Sequence, residues 1–194
     1  MVNEVLNFWF DYENNPDPLY NRTIWWQKNE HTDNIIREKF ANLNYQATSG
    51  QLDSWLASPK STLAFIILID QFSRNLYRNT PKMFAHDSLA LNAAKNIVAS
   101  SKDKILTLTE RVFLYLPFEH SENFNDQEMS IALYQRLVDE TPEAHKKTAE
   151  AFLSFAQAHY DIIEKFGRYP HRNKILSRDS TADEIDFMKT HQGF

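Results

Sequence analysis

The chain has 194 residues but only three glycines, at positions 50, 167 and 193. A β-rich protein of this size needs more glycines for its turns. Apolar residues also recur three and four positions apart along most of the chain, which is the spacing of an amphipathic helix. The sequence therefore predicts an all-α fold of eight or nine helices joined by short loops.

Length, composition and charge narrow the class of protein further. With 42% hydrophobic and 13% aromatic residues, positions 1–194 are expected to form a single helical domain with its own core. The absence of cysteine excludes disulfides and thiolate chemistry. A net charge of −5 argues against nucleic-acid binding. The longest apolar run, Leu63–Ile69, is far shorter than the ~20 residues of a membrane span, and Met1–Phe10 lacks the positive region of a secretory signal. We therefore expect a cytoplasmic protein that has no membrane partner.

Prolines and glycines mark the expected helix boundaries. Pro59 suits the start of a helix, and the run Leu63–Ile69 that follows has no polar face, so this helix is expected to be central and buried. Pro117 is expected to interrupt a later helix. A long helix after Pro142 is expected to end just before Gly167, which is a natural residue for the position after a helix end.

The first of three polar segments, Asp70–Arg78 (DQFSRNLYR), directly continues the buried helix. Asp70 and Arg74 are one helical turn apart and can form an ordinary stabilising pair. Arg74 and Arg78 could instead point into a pocket, because the arginine side chain is the preferred group for binding carboxylate or phosphate through two parallel hydrogen bonds. Both interpretations stay open, and Asp70, Arg74, Asn75 and Arg78 are candidate ligand-binding residues.

The second polar segment, Tyr115–Glu122 (YLPFEHSE), places one histidine between carboxylates. Carboxylate neighbours raise the pKa of a histidine and orient its tautomer, so Glu119 and His120 are candidates for acid–base catalysis. Glu122 is a candidate ligand-binding residue. The alternative is a loop whose polar side chains only cap the next helix. A metal site is not predicted, because the segment lacks the paired histidines of a zinc motif.

The third polar segment, Phe166–Arg178 (FGRYPHRNKILSR), begins at the end of the long helix and carries a concentration of basic residues. Arg168, Arg172 and Asn173 are candidate ligand-binding residues, and His171 is a candidate catalytic residue, because a proline-anchored loop of this kind suits a binding site. The alternative is a solvated basic face. His159, on the apolar stripe of the long helix, is either a hydrogen-bonded core residue or a further ligand-binding residue.

Together these segments resemble one protein family. DQFSRNLYR, YLPFEHSE with a downstream Gln127, and KFGRYPHRNKILSRDST occur in this order, with VLNFWF near the N-terminus and GQLDSW at Gly50. The chain resembles the bacterial domain-of-unknown-function family numbered 924 over nearly its whole length. Ser177 departs from the pattern, since the family more usually has glycine there. The resemblance implies antiparallel helix pairs in a tetratricopeptide-like right-handed superhelix and implies no particular activity.

Three hypotheses for function follow from the polar segments. In the first, a binding module grips a small anionic molecule or a peptide carboxylate with Arg74, Arg78, Arg168 and Arg172. In the second, a hydrolase or lyase uses His120 or His171 as a base, with Glu119 or Glu122 orienting it or binding a metal. In the third, the segments form a buried ionic network with a structural role only. The sequence indicates no particular cofactor, and the first hypothesis is favoured because it needs no nucleophile or metal.

Overall fold

The computed structural model describes residues 1–191 and 193, and this part of the chain contains helices and no β-strand. Its α-helices, in chain order, are α1 (Val2–Phe10), α2 (Thr23–Trp26), α3 (Glu30–Thr48), α4 (Pro59–Ile66), α5 (Phe72–Leu76), α6 (Asp87–Ala99), α7 (Leu108–Glu119), α8 (Phe124–Glu140), α9 (Lys146–Phe166) and α10 (Ala182–Phe187). A π-helical turn, Ile67–Gln71, joins α4 and α5 into one continuous helix. The described residues therefore form nine helices, which confirms the all-α prediction.

The continuous helix from α4 to α5 is the centre of the fold. Every residue of Leu63–Ile69 is fully buried, as the absence of a polar face predicted. The surrounding helices α1, α3, α6 and α7 all pack against this central helix. Because such a helix carries its next turn inward with it, the polar residues from Asp70 onward also begin inside the protein.

The π-helical turn interrupts the regular hydrogen bonding of the central helix at the first polar segment. Its signature is the Phe72 N–H, which donates to the Ile67 carbonyl oxygen five residues back. Asp70 lies within this turn and is fully buried. Single π turns inside α-helices are rare and occur frequently at functional sites. The turn therefore marks Asp70 as a residue whose placement departs from regular helix geometry.

The prediction that Pro117 interrupts a helix is wrong. Helix α7 continues through Pro117 and ends at Glu119, with His120 as its C-cap. An internal proline costs roughly 3 kcal/mol because it removes one backbone hydrogen bond and crowds the preceding turn. Every residue from Thr109 to Glu119 is buried, and this packing offsets the local cost. Glu119 and His120 consequently sit on a rigid helix end instead of a loop.

The long helix α9 ends where the sequence predicted. Gly167 adopts the left-handed conformation, with φ of 67°, and its N–H donates to the Ile163 carbonyl oxygen. Helix α9 packs on α8, and α8 packs on α7. The tetratricopeptide-like right-handed superhelix implied by the resemblance stays a prediction. Within the residues that the structure describes, no helix has the length and hydropathy needed to cross a membrane.

Ser177 adopts the left-handed backbone conformation, with φ of 54°. A side chain with a Cβ is strained there by about 1 kcal/mol, whereas glycine is not. We therefore expect Ser177→Gly to raise the free energy of unfolding by about 0.5–1 kcal/mol in urea denaturation. Ser177→Ala keeps the Cβ and is the matched control, for which no gain is expected. An equal gain in both variants would show that backbone strain is not the cause.

Candidate functional site

The first two polar segments meet at the carboxylate of Asp70. The His120 Nδ1 lies 2.8 Å from Asp70 Oδ1, and the Arg74 Nη1 lies 3.1 Å from the same oxygen. The Gln71 Nε2 donates to Asp70 Oδ2 at 2.6 Å. Burial acts to raise the pKa of Asp70, but the charge of Arg74 and the hydrogen bonds from His120 and Gln71 outweigh it and hold this pKa well below its usual range. Asp70 is therefore an ionised carboxylate.

A second carboxylate, Asp87 at the start of α6, bridges the first and third segments. Arg74 Nη1 and Nη2 donate to Asp87 Oδ1 and Oδ2, both at 3.2 Å, in a bidentate geometry. The Arg172 Nη1 lies 3.5 Å from Asp87 Oδ2. Burial acts to lower the pKa of Arg74, but its two carboxylate partners outweigh burial and raise this pKa. We call Asp70, Arg74, Asp87, His120 and Arg172 the central cluster.

The guanidinium group of Arg172 lies over the rings of two aromatic residues. Its central carbon is 4.6 Å from the ring centre of Phe84 and 4.5 Å from that of Tyr169, which are cation–π distances. The side chain is only 8% exposed, and its Nε is buried with no hydrogen-bond partner. Burial lowers the pKa of Arg172, and the charge of Arg74 lowers it further, against the opposing effect of Asp87. Arg172 is thus a buried cation whose donors are only partly used.

The tautomer of His120 follows from its partner. An ionised carboxylate only accepts hydrogen bonds, so the Nδ1–H of His120 donates to Asp70 and the Nε2 keeps its lone pair. Burial lowers the pKa of His120 and the charge of Arg74 lowers it further, whereas Asp70 acts to raise it. His120 is therefore a neutral base at pH 7 with an orienting carboxylate.

Glu119 and His159 form a buried pair beside the central cluster. His159 Nδ1 lies 2.8 Å from the Phe155 carbonyl oxygen and 3.2 Å from Glu119 Oε2. Burial raises the pKa of Glu119 to about 8, and burial lowers that of His159 to about 3. Both side chains are consequently uncharged at pH 7. This geometry agrees with the interpretation of His159 as a hydrogen-bonded core residue, and its ring lies 6.4 Å from that of His120.

Tyr169 joins the third segment to the end of α7. Its hydroxyl donates to the Glu119 carbonyl oxygen, and its backbone N–H donates to Glu122 Oε1 at 2.8 Å. The fully buried amide nitrogen of Gln127 contacts the same hydroxyl at 2.9 Å. The His171 ring lies 5.5 Å from the Tyr169 ring, and burial lowers the pKa of His171 to about 4. His171 is therefore a neutral residue at the edge of the site.

The remaining candidates belong to separate ion pairs. Arg78 forms a two-pronged pair with Asp33, which also accepts a hydrogen bond from Asn75 at 2.8 Å. Glu122 pairs with Arg178, at 2.7 and 2.9 Å. Glu184 is the shared partner of two further candidates, Arg168 and Asn173. The structure thus brings Arg74 and Arg172 together but leaves Arg78 and Arg168 in pairs of their own.

Sequence reasoning missed Asp87, Phe84 and Tyr169. Asp87 starts a helix, where an acidic residue is expected for the helix dipole alone, so nothing local singled it out. Phe84 falls on the inward apolar face of its predicted helix, so nothing singled it out either. One signal was available for Tyr169, since it lies directly within the third polar segment. No spacing links Asp87 to Arg74, because the contact depends on how α6 packs against the central helix.

Two cavities are found away from the central cluster. One of about 380 Å³ lies between α1 and the start of α3, where Arg22 and His31 are among the lining residues. The other, of about 450 Å³, lies beside Arg168 and Glu184. Across residues 1–191 and 193, His, Asp and Glu side chains form no group of three or more that could hold a metal ion.

Glu119 is expected to set the alkaline side of the pH dependence of stability. The folded protein keeps the Glu119 proton up to about pH 8, whereas the unfolded chain loses it near 4.5, so stability falls as pH rises between these values. His159 and His171 act in the opposite direction, because unfolded histidines bind protons below about 6.5 that the folded ones do not. The free energy of unfolding should therefore be highest near pH 6.5.

Glu119→Gln tests this assignment by fixing the side chain in a neutral form. The wild-type protein is expected to lose on the order of 1–2 kcal/mol between pH 6.5 and 8, and the variant is expected to lose much less. The measurement is the urea midpoint at each pH. Glu128→Gln, at an exposed position of α8, is the control and should keep the alkaline loss. The same alkaline loss in both variants would contradict the assignment.

The comparisons with known proteins agree with the resemblance noted in the sequence. The family model described as a bacterial protein of unknown function (DUF924) matches residues 5–192. A solved structure of a protein of unknown function from Agrobacterium tumefaciens is 34% identical, with a TM-score of 0.82, and the match covers 97% of this chain and 96% of that chain. No curated protein matches the sequence. Because the family match spans nearly the whole chain, the protein belongs to the DUF924 family of bacterial proteins of unknown function.

Proposed function

We propose that the protein binds a small anionic ligand, such as a carboxylate or a phosphate, at the central cluster. The observation that carries this proposal is the state of Arg172. Its guanidinium group lies over two aromatic rings, is nearly buried, and has an unpaired Nε and one long contact to Asp87. A buried donor without a partner is costly, and an anionic ligand would supply acceptors for it.

The surroundings of Arg172 favour an anion over a cation or an apolar ligand. Arg74 provides a second guanidinium group on the same carboxylate. The neutral histidine ring of His120 adds no charge of its own. The cluster also reaches the surface, because the side chains of Arg74, Asp87 and His120 are 18%, 17% and 13% exposed. A ligand could therefore approach without unfolding the central helix.

The ligand could be a free small molecule or the carboxylate of a peptide, since both present the same chemistry to arginine. The proposal uses Arg74 and Arg172 and does not need Arg78 or Arg168, which have carboxylate partners of their own. A cytoplasmic location stays a prediction from the sequence.

A thermal-shift titration with acetate, citrate and inorganic phosphate tests the proposal. A ligand at about a hundred times its Kd should stabilise the folded protein by about 2.7 kcal/mol. Arg172→Met should abolish this stabilisation. Arg37→Met removes the same charge from an exposed position of α3 and should leave it unchanged. Equal stabilisation of the two variants would contradict the proposal, and so would the absence of any stabilisation of the wild-type protein by these anions.

A second candidate function is acid–base catalysis, and the observation that favours it is the contact between His120 and Asp70. A buried carboxylate that fixes the tautomer of a neutral histidine is an arrangement found in enzymes that abstract protons. The sequence placed Glu119 or Glu122 in the orienting role, whereas Asp70 makes the contact in the structure. His120→Gln should then remove any turnover found in esterase, amidase and phosphoesterase screens while leaving anion binding. Turnover that survives this substitution would exclude His120 as the base.

A further inference from the structure

We infer that Asp87 is an internal stand-in for the ligand, and that the ligand presents a single carboxylate group to Arg74 and Arg172. This inference rests on the proposed function and deepens it. The side chain of Asp87 already occupies the position in which an external anion would be bound. Its two oxygens accept hydrogen bonds from the two Nη groups of Arg74, at 3.2 Å each. The Oδ2 atom of Asp87 also lies 3.5 Å from Nη1 of Arg172.

The charges of the central cluster favour a carboxylate over a phosphate dianion. Two guanidinium groups, on Arg74 and Arg172, face two carboxylates, on Asp70 and Asp87, and His120 is neutral. The cluster is therefore balanced when one negative charge occupies the position of Asp87. An external carboxylate keeps that balance. A dianion would leave an additional negative charge beside the fully buried Asp70, where uncompensated charge is strongly unfavourable.

One short segment both covers the cluster and supplies the stand-in. The segment 81–87 leads into α6, and it carries Phe84, which lies over the guanidinium of Arg172, as well as Asp87. Its residues Pro81, Lys82 and Ala85 are exposed, and the others are only partly buried. The other members of the central cluster come from other elements, namely the central helix, the end of α7 and the loop after α9. A single outward displacement of this segment would therefore uncover Arg172 and vacate the carboxylate position together.

If Asp87 competes with the ligand, the affinity of the wild-type protein is reduced by the fraction of time that the carboxylate position is filled. Asp87→Asn keeps the shape of the side chain but removes its charge, so the two guanidinium groups lose their internal partner. We expect acetate to bind this variant about tenfold more tightly than it binds the wild-type protein. Glu128→Gln removes the same charge from an exposed position and should leave the affinity for acetate unchanged.

The experiment is an NMR titration of the full chain at pH 7 with acetate and, separately, with inorganic phosphate at matched ionic strength. The inference predicts that acetate binds the wild-type protein, binds Asp87→Asn about tenfold more tightly, and is bound in preference to phosphate by both. Unchanged or weaker acetate binding by Asp87→Asn would show that Asp87 does not compete with the ligand. Tighter binding of phosphate than of acetate would show that the ligand is not a single carboxylate. In both cases the proposed anion site itself survives. Absence of binding by the wild-type protein means that the proposed function has failed.

Asp87→Asn could be too unstable to titrate, because it leaves two arginines without a shared partner. Asp87→Ala then provides the second measurement, since it leaves space for an external carboxylate. Acetate should restore the thermal midpoint of this variant, whereas phosphate or chloride at the same ionic strength should not. Equal recovery in all three salts would overturn the inference.

Discussion

Asp70→Asn is expected to lower the free energy of unfolding by about 3–5 kcal/mol, because breaking a buried ion pair leaves an uncompensated charge. Asp70 is fully buried and accepts from Arg74 and from His120. The asparagine keeps the shape but removes the charge that Arg74 requires, and its amide group adds a donor where only acceptors are needed. Urea denaturation at pH 7 measures the change.

The control for this substitution is Asp161→Asn, at an exposed position of α9, for which a change within about 0.5 kcal/mol is expected. A loss below about 1 kcal/mol for Asp70→Asn would show that the pair is not a stabilising element of the fold. The double substitution Asp70→Leu with Arg74→Met removes both charges and should cost less than the single one. If the double variant also keeps its anion binding, Asp70 and Arg74 have a structural role only and Arg74 is not part of the anion site.

Phe72→Ala is expected to cost about 3–5 kcal/mol, which is typical when a buried phenylalanine is truncated. Phe72 follows the π-helical turn and has no exposed surface. Its ring centre lies 4.9 Å from that of Phe40, 5.4 Å from Trp9 and 5.9 Å from Phe8. It therefore ties the central helix to α1 and α3, and a cavity left there cannot easily close because three other rings surround it.

Phe155→Ala is the matched control for Phe72→Ala. Phe155 is 59% exposed on α9, so the same truncation there removes little buried surface and should change the free energy of unfolding by less than about 1 kcal/mol. Both variants are compared with the wild-type protein by urea denaturation. Similar losses for the two substitutions would contradict the assignment of the central helix as the core of the fold.

The fold was predictable where local pattern and tertiary packing agree. The run Leu63–Ile69 has no polar face, and a helix of that kind is stable only when surrounded by other helices. Gly167 is the residue that tolerates the left-handed conformation at the end of α9. The helix break predicted at Pro117 was wrong because the free-energy cost of the proline is local. The packing that offsets this cost involves the whole of α7.

The candidate site was predictable only in part, for a physical reason. Asp70 and Arg74 are neighbours on one helix face, so their contact follows from sequence spacing. The contact between Asp70 and His120 joins two helices, and only the packing of α7 against the central helix creates it. Arg74 and Arg78 have the same spacing, yet Arg78 points away to Asp33 on α3. Which arginines share a site could therefore not be predicted from their spacing along the chain, because it depends on how the helices pack.

We propose that Arg74 and Arg172 share one anion site, whereas Arg78 and Arg168 lie in separate ion pairs. The most direct test follows the Nε–H signals of the arginine side chains by NMR as acetate is added at constant ionic strength. The structure predicts that the signals of Arg74 and Arg172 move together with one saturating curve, and that those of Arg78 and Arg168 stay in place. Equal, non-saturating shifts of all four signals, or no shift of the Arg172 signal, would contradict the claim.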